Sequence, residues 1–194
     1  MSPPRLAAPL SCLFLLACAT SAPPPVPAGP PPDWKLASAS MTAADQFQAV
    51  GGGGGQISVQ ISGHNIYGPS VSLSVTPTYI RGQIGTASTI DVTIRGDRGD
   101  GNVKGLPFSC IVTTNPDGSA RVTGAMGRGN TDFTLSPAAL QGRIGVITYS
   151  LAWNGTRYEG GTTPGGRAWL QLPPVMATWS NVEVACTLAV LLIG

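Results

Sequence analysis

Two stretches of the chain repeat one another, SLSVTPTYIRGQIG at 72–85 and DFTLSPAALQGRIG at 132–145. They align without gaps, and four positions are identical: Pro77/Pro137, Gly82/Gly142, Ile84/Ile144 and Gly85/Gly145. An internal repeat of this kind indicates one structural unit that is used more than once. We predict that this unit is a β-hairpin.

The spacing of glycines supports a recurring hairpin. Glycines 63, 82, 105, 124 and 142 follow one another at intervals of about 20 residues, the length of two strands with their turn. Within the first copy, Ile80, Gly82 and Ile84 share one face of the strand, because strand side chains alternate. The glycines are therefore predicted to lie on the apolar face and to leave room there for a bulky group.

Further runs of alternating apolar and polar residues predict more strands, at 57–61, 71–75, 90–94 and 147–153. Asn154-Gly155 is a strong hairpin signal, and Asn115-Pro116-Asp117-Gly118 is typical of a turn with proline at its second position. The predicted fold is mainly β: an antiparallel β-sandwich or a curved, barrel-like sheet of hairpin repeats, with one C-terminal helix.

The last residues predict that helix. Ser180-Asn181-Val182-Glu183 is a capping-box pattern, and the run VACTLAVLLI follows from Val184 onward. A helix over 181–193 would be apolar nearly all round, so we expect it to be buried against the glycine-bearing face. A hidden central strand is the alternative reading of the same run.

The first residues resemble a bacterial lipoprotein signal. The apolar run from Leu10 to Ala17 is too short to cross a bilayer, and it ends in Leu15-Leu16-Ala17-Cys18, which is similar to a lipobox. The resemblance implies cleavage after Ala17, a diacylglyceryl thioether on Cys18 and acylation, typically with palmitate, of the new amino group. Ordinary secretion is the alternative, since residues 17–19 also fit release after Ala19 as a soluble β protein.

These patterns divide the chain into three parts. Residues 1–17 are predicted to be the signal peptide, and 18–55 the lipidated cysteine with a tether rich in proline and glycine. The tether includes a weak helical pattern at 42–50 and ends in five glycines at 51–55. Residues 56–194 are predicted to be the β-rich domain with its internal repeat.

Two cysteines remain for the domain, Cys110 and Cys186, once Cys12 is removed with the leader and Cys18 is acylated. An even pair in an exported protein favours a disulfide. Two separate buried thiols, acting as small apolar residues, would fit the sequence as well.

Composition argues against several classes of function. Charged residues are 10% of the chain and the formal net charge is +2, which disfavours nucleic acid as a partner. His64 is the only histidine, so neither a zinc site nor a histidine-based catalytic triad is expected. Asp97, Asp100 and Asn102 are predicted to form a polar hairpin loop rather than a calcium site.

Three aromatic residues lie close together in sequence near the end of the strands: Trp153, Tyr158 and Trp169. Such side chains either pack in the core or, when exposed, bind sugars or partner proteins. The core is the expected place for them.

The sequence therefore predicts a non-enzymatic lipoprotein of the cell envelope that needs no cofactor. Its first partner would be a membrane, held through the lipid anchor, and by resemblance the residue after Cys18, Ala19 rather than Asp, favours the outer membrane. A protein or cell-wall partner would then bind the domain. Two alternatives remain open: a carrier of small apolar ligands on the glycine-lined face, and an enzyme that uses Asp and Arg residues in loops.

Overall fold

The computed structural model describes residues 46–50 and 56–192, which form one closed antiparallel β-barrel of fourteen strands. Each strand is hydrogen-bonded to the strands before and after it in the chain, and the first strand closes the barrel on the last. The strands are β1 Gln46–Val50, β2 Gln56–Ser62, β3 Asn65–Gly68, β4 Val71–Thr76, β5 Tyr79–Ile84, β6 Ser88–Arg95, β7 Arg98–Val103, β8 Leu106–Thr114, β9 Ala120–Met126, β10 Gly129–Leu135, β11 Ala139–Ile144, β12 Ile147–Trp153, β13 Tyr158–Thr163 and β14 Gly166–Gln171.

The predicted fold class is confirmed in its barrel-like form. All fourteen pairings are antiparallel, and the sheet has no free edge, so the sandwich alternative is excluded. The repeated stretches 72–85 and 132–145 form the hairpins β4–β5 and β10–β11, whose second strands have the same pattern of burial. Each is one of a series of hairpins that run side by side around the barrel.

The strand β1 corrects the predicted domain boundary. Gln46–Val50 was assigned to the tether, but it pairs with β14 through Ala49↔Leu170 and with β2 through Val50↔Gln56. Its five residues are too few for a clear alternation, and one of its two partners lies more than a hundred residues away along the chain. The barrel therefore begins with β1, before the five glycines at 51–55, whereas the prediction placed its first residue at 56.

The strands bury one face and expose the other. In β6, for example, Ile90, Val92 and Ile94 are buried while Asp91 and Arg95 are exposed. The same alternation runs around the barrel, so the inner wall is apolar and the outer wall carries mostly Ser, Thr, Gln, Arg and Asp. The period of two was therefore a correct guide to which residues face inward.

The interior is filled by the helix α1, Asn181–Leu192, which follows a short 3-10 helix at Pro174–Thr178. All residues from Glu183 to Leu192 are buried, and α1 contacts strands β4, β7, β8 and β9. At its far end Tyr149 of β12 donates a hydrogen bond to the carbonyl of Leu192 at 3.2 Å. The helix is thus enclosed by the barrel, and the alternative of a central strand is wrong because the closed sheet has no vacant position.

No helix in the described part of the chain is long and apolar enough to cross a membrane.

The glycines do not have the role that the sequence predicted. Five odd-numbered strands each carry an inward glycine whose added Cβ would overlap a carbonyl oxygen of the preceding strand; they are Gly82, Gly101, Gly124, Gly142 and Gly160. These positions allow close approach of neighbouring strands rather than space for the helix. Two glycines of the predicted series, Gly63 and Gly105, instead lie in turns with positive φ.

One glycine does make room for a bulky group. A Cβ on Gly99 in β7 would lie 2.8 Å from Cys186 Sγ and 3.1 Å from Cys110 Sγ. A side chain at this position would collide with the disulfide, which joins the barrel wall to α1.

Candidate functional sites at the two ends of the barrel

The two ends of the barrel carry different chemistry. We name the end where α1 begins the helix-start end; it holds the turns around residues 63–64, 77–78, 96–97, 115–119, 136–138 and 154–157. The opposite end, where α1 finishes, holds the turns at 69–70, 85–87, 104–105, 127–128, 145–146 and 164–165. We name it the basic end, for its Lys104, Arg128, Arg143 and Arg167.

At the helix-start end, the predicted capping box is present. The backbone N–H of Ser180 donates to Glu183 Oε2 at 2.7 Å, and the backbone N–H of Glu183 donates to Ser180 Oγ at 3.2 Å. Both donors would otherwise lack a partner in the first turn of the helix. The box fixes where α1 begins.

Glu183 has a second neighbour that the sequence did not predict. His64, in the β2–β3 turn, places Nε2 3.5 Å from Glu183 Oε1, with 46% of the histidine side chain exposed and 4% of the glutamate. The imidazole stacks on Trp179 with ring centroids 5.5 Å apart, and Trp179 Nε1 donates to the carbonyl of Gly63 at 3.2 Å. The sequence indicates no partner for His64, because no local pattern relates it to a glutamate that far along the chain.

This cluster holds the start of the helix against the barrel wall. His64 contacts an acid of the first helical turn and the aromatic ring of Trp179. The stacked rings and the contact of His64 with Glu183 join the start of α1 to the β2–β3 turn. The arrangement therefore closes this end of the barrel over the helix.

We expect Ser180→Ala to lower the free energy of unfolding by about 1 kcal/mol, because the hydroxyl satisfies a backbone N–H in the first turn of a buried helix. Chemical denaturation of the two proteins would measure the difference. Thr178→Ala is the matched control, since that exposed hydroxyl only donates to the carbonyl of Val175. Equal losses in both variants would contradict a capping role.

The two domain cysteines lie together. Cys110 of β8 and Cys186 of α1 form a disulfide, with their Cα atoms 6.7 Å apart and 76 residues between them in the chain. Both are fully buried. The bond ties the central helix to the wall of the barrel. Cys18, the predicted lipidation site, lies outside the described residues.

The segment GDRGDGN forms the β6–β7 turn and the start of β7, and two of its three charged side chains, Arg98 and Asp100, pair with one another. Arg98 donates to both carboxylate oxygens of Asp100, and this hydrogen bonding holds the pKa of Asp100 below its usual range and raises that of Arg98. In the described segments, no group of three or more His, Cys, Asp or Glu side chains could hold a metal ion. The polar hairpin is the reading that the geometry favours.

The three aromatic residues divide between core and surface. Tyr158 is buried and donates to the carbonyl of Ser136 at 2.9 Å, while Trp153 lies 5.0 Å from it, ring to ring, and is partly buried. Trp169 is also partly buried, with the guanidinium of Arg157 4.8 Å above its ring. Only Tyr158 is fully in the core.

The basic end combines positive charge with exposed apolar side chains. Its four cations lie in the turns or at the strand residues next to them. Leu106 and Val146, 47% and 72% exposed, are two of the four large apolar residues exposed on the described surface. This end was not predictable from composition, because the net charge of +2 conceals how the charges are distributed.

Comparison with known proteins adds no relative: no protein-family model, curated protein or solved structure matches the chain.

Proposed function

We propose that this protein is a lipid-anchored, non-enzymatic component of the bacterial cell envelope, held in the outer membrane through Cys18. Its barrel is a rigid module that binds partners through its surface. The observation that carries this proposal is the position of α1, whose residues fill the space that a barrel would otherwise offer to a ligand. The ends and the outer wall are what remains for recognition.

The carrier alternative has less support. The inward glycines face carbonyl groups of neighbouring strands, and the apolar wall packs on the side chains of α1. A small apolar ligand would have to displace a helix that is capped at its start and joined to β8 by a disulfide. Such a displacement would break several interactions at once.

The enzyme alternative also has less support from the outer wall. The acids that it would use lie in loops, and of these Asp117 accepts hydrogen bonds from Ser119. Acids on the outer wall pair with arginines; the pairs are Arg81–Asp91, Arg98–Asp100, Arg121–Asp132 and Arg157–Glu159. These side chains are largely exposed, and an exposed ion pair is a common surface feature that requires no catalytic role.

The anchor would join the barrel at a defined place. β1 runs from Gln46 to Val50 antiparallel to β2, so Gln46 lies toward the helix-start end. Residues 18–45 lead into it and include the proline-rich stretch 23–32. At the rise of polyproline II, a chain of that length would extend over about 85 Å. The lipid would therefore hold the barrel by its helix-start end on a long tether.

The anchor is tested by changing each leader cysteine separately. We expect Cys18→Ser to abolish labelling of the protein with radioactive palmitate, because the thioether and the acylated amino group both depend on that residue. Cys12→Ser is the matched control and should leave labelling at the level of the unchanged protein. Mass spectrometry of the native amino terminus would show acylated Cys18.

Two results would reject the anchor. Continued labelling of the Cys18→Ser protein would place the lipid elsewhere. An unmodified terminus at Thr20 would show cleavage after Ala19, and the protein would then be the secreted soluble alternative.

A further inference from the structure

We propose that the basic end of the barrel docks onto an anionic lipid surface. This inference deepens the proposed function, and rests on it, since it names the partner of one part of the binding surface. It concerns a second contact with a membrane, distinct from the acyl chains on Cys18.

The charge at this end is of one sign. Lys104 and Arg128 lie in turns, Arg167 is the second residue of β14, and Arg143 donates from Nε to the carbonyl of Gly145 in the next turn. None of the described turns at this end contains an acid. The acids nearest to these turns are Asp91 and Asp132. Asp132 is the cross-strand partner of Arg143, and the two acids form ion pairs with Arg81 and Arg121 on the outer wall.

The apolar side chains lie between these cations. A Cβ on Gly127 would be 3.1 Å from Leu106 Cδ1, so the β9–β10 turn rests on the start of β8. A Cβ on Gly129 would be 2.9 Å from the Cα of Gly145, so the same hairpin also touches the β11–β12 turn. Lys104, Leu106, Arg128, Arg143 and Val146 thus form one continuous arc, which we name the basic arc.

The basic arc fits a lipid surface better than an anionic polysaccharide. Cations near a bilayer with acidic headgroups are attracted to it, and exposed apolar side chains beside them can enter the boundary between headgroups and acyl chains. A polysaccharide would use the charges but would leave Leu106 and Val146 in water. Cations and exposed apolar side chains that lie side by side therefore favour a lipid surface as the partner.

The tether allows this contact. The basic end is opposite the end at which β1 begins, and a seven-residue strand is only about 23 Å long. A tether of up to about 85 Å therefore lets the basic end reach the anchoring membrane or a membrane that faces it.

The test uses the oxidised chain from residue 19 onward, which keeps the whole closed barrel and has neither leader nor acyl chains. It is mixed with vesicles of phosphatidylcholine alone, or of three parts phosphatidylcholine to one part phosphatidylglycerol, and binding is measured by flotation. We expect binding to the anionic vesicles to be at least about tenfold tighter. Lys104→Glu/Arg128→Glu should remove that difference, and Val146→Ser should weaken binding severalfold.

Matched controls lie elsewhere on the barrel. Arg95→Glu reverses one charge at the helix-start end and is compared with the single reversal Arg128→Glu, and Ile111→Ser removes an exposed apolar side chain from the outer wall. Neither Arg95→Glu nor Ile111→Ser should change vesicle binding. Thermal unfolding of every variant would confirm that each one remains folded.

Three results would overturn the proposal: equal binding to both kinds of vesicle, equal effects of Arg95→Glu and Arg128→Glu, or no effect of Val146→Ser. If Val146→Ser has no effect while the charge reversal abolishes binding, the contact depends on charge alone. That result would indicate an anionic polymer as the partner. Palmitate labelling at Cys18 is measured independently, so failure here is distinguishable from failure of the proposed anchor.

Discussion

Gly142→Ala is expected to lower the free energy of unfolding by about 4 kcal/mol, a large part of the stability of an ordinary domain. A Cβ at this position would overlap the carbonyl oxygen of Asp132 and lie 2.5 Å from the Cα of Phe133, both on the neighbouring strand β10. The residue also has φ of +124°, which side chains other than glycine rarely adopt. Relief would require β10 and β11 to separate.

Gly161→Ala is the control for this substitution. Gly161 lies on β13, and the nearest atom to its added Cβ is the carbonyl oxygen of Gly166 at 3.9 Å, an ordinary contact. We expect its free energy of unfolding to change by less than about 0.5 kcal/mol in chemical denaturation. Similar losses at positions 142 and 161 would contradict the close approach of β10 and β11.

Loss of the disulfide should destabilise the barrel by a comparable amount. Cys110 and Cys186 are 76 residues apart, so the bond restricts a large loop of the unfolded chain, which corresponds to about 4 kcal/mol. We expect the double variant Cys110→Ala/Cys186→Ala to unfold at a much lower denaturant concentration than the oxidised protein. Alanine is the better replacement, because a buried serine hydroxyl at either position would need a hydrogen-bond partner.

Reduction provides the internal control for the disulfide. A thiol reductant should lower the unfolding midpoint of the unchanged protein and leave that of the alanine double variant where it is. If reductant moves neither midpoint, or if mass spectrometry finds free thiols at Cys110 and Cys186 in the protein isolated from cells, then the bond does not form in the cell.

The sequence predicted those features that depend on neighbouring residues. The repeat at 72–85 and 132–145 identified two hairpins, because alternation and turn chemistry are local properties. Ser180 and Glu183 marked the start of α1 for the same reason, since the two capping hydrogen bonds join residues three apart. An apolar pattern around the whole helix also predicted its complete burial.

Features that depend on distant parts of the chain were not predictable in this way. Closure of the barrel rests on β1 pairing with β14, and no property of Gln46–Val50 alone specifies that partner. The contact of His64 with Glu183 likewise depends on where the helix enters the barrel. Three glycines of the predicted series, Gly82, Gly124 and Gly142, do lie in strands, but their role depends on how closely the neighbouring strand approaches, and Gly63 and Gly105 lie in turns instead.

The basic arc shows the same limit in its charges. Lys104, Arg128 and Arg143 are spread along the sequence, and acids lie between them in the chain. They come together only because successive hairpins place alternate turns at the same end. The low net charge therefore argued against nucleic acid as a partner. It did not reveal that cations come together at one end of the barrel.

The enclosed helix also sets an order of assembly. All fourteen strands precede α1 in the chain, so during synthesis the wall emerges before the residues that fill it. Until those twelve residues arrive, the apolar inner faces of the strands have no partner and are at risk of aggregation. The interior of the barrel is therefore filled only once α1 has been synthesised. A chain that stopped before Asn181 would have the strands but not the helix that packs inside them.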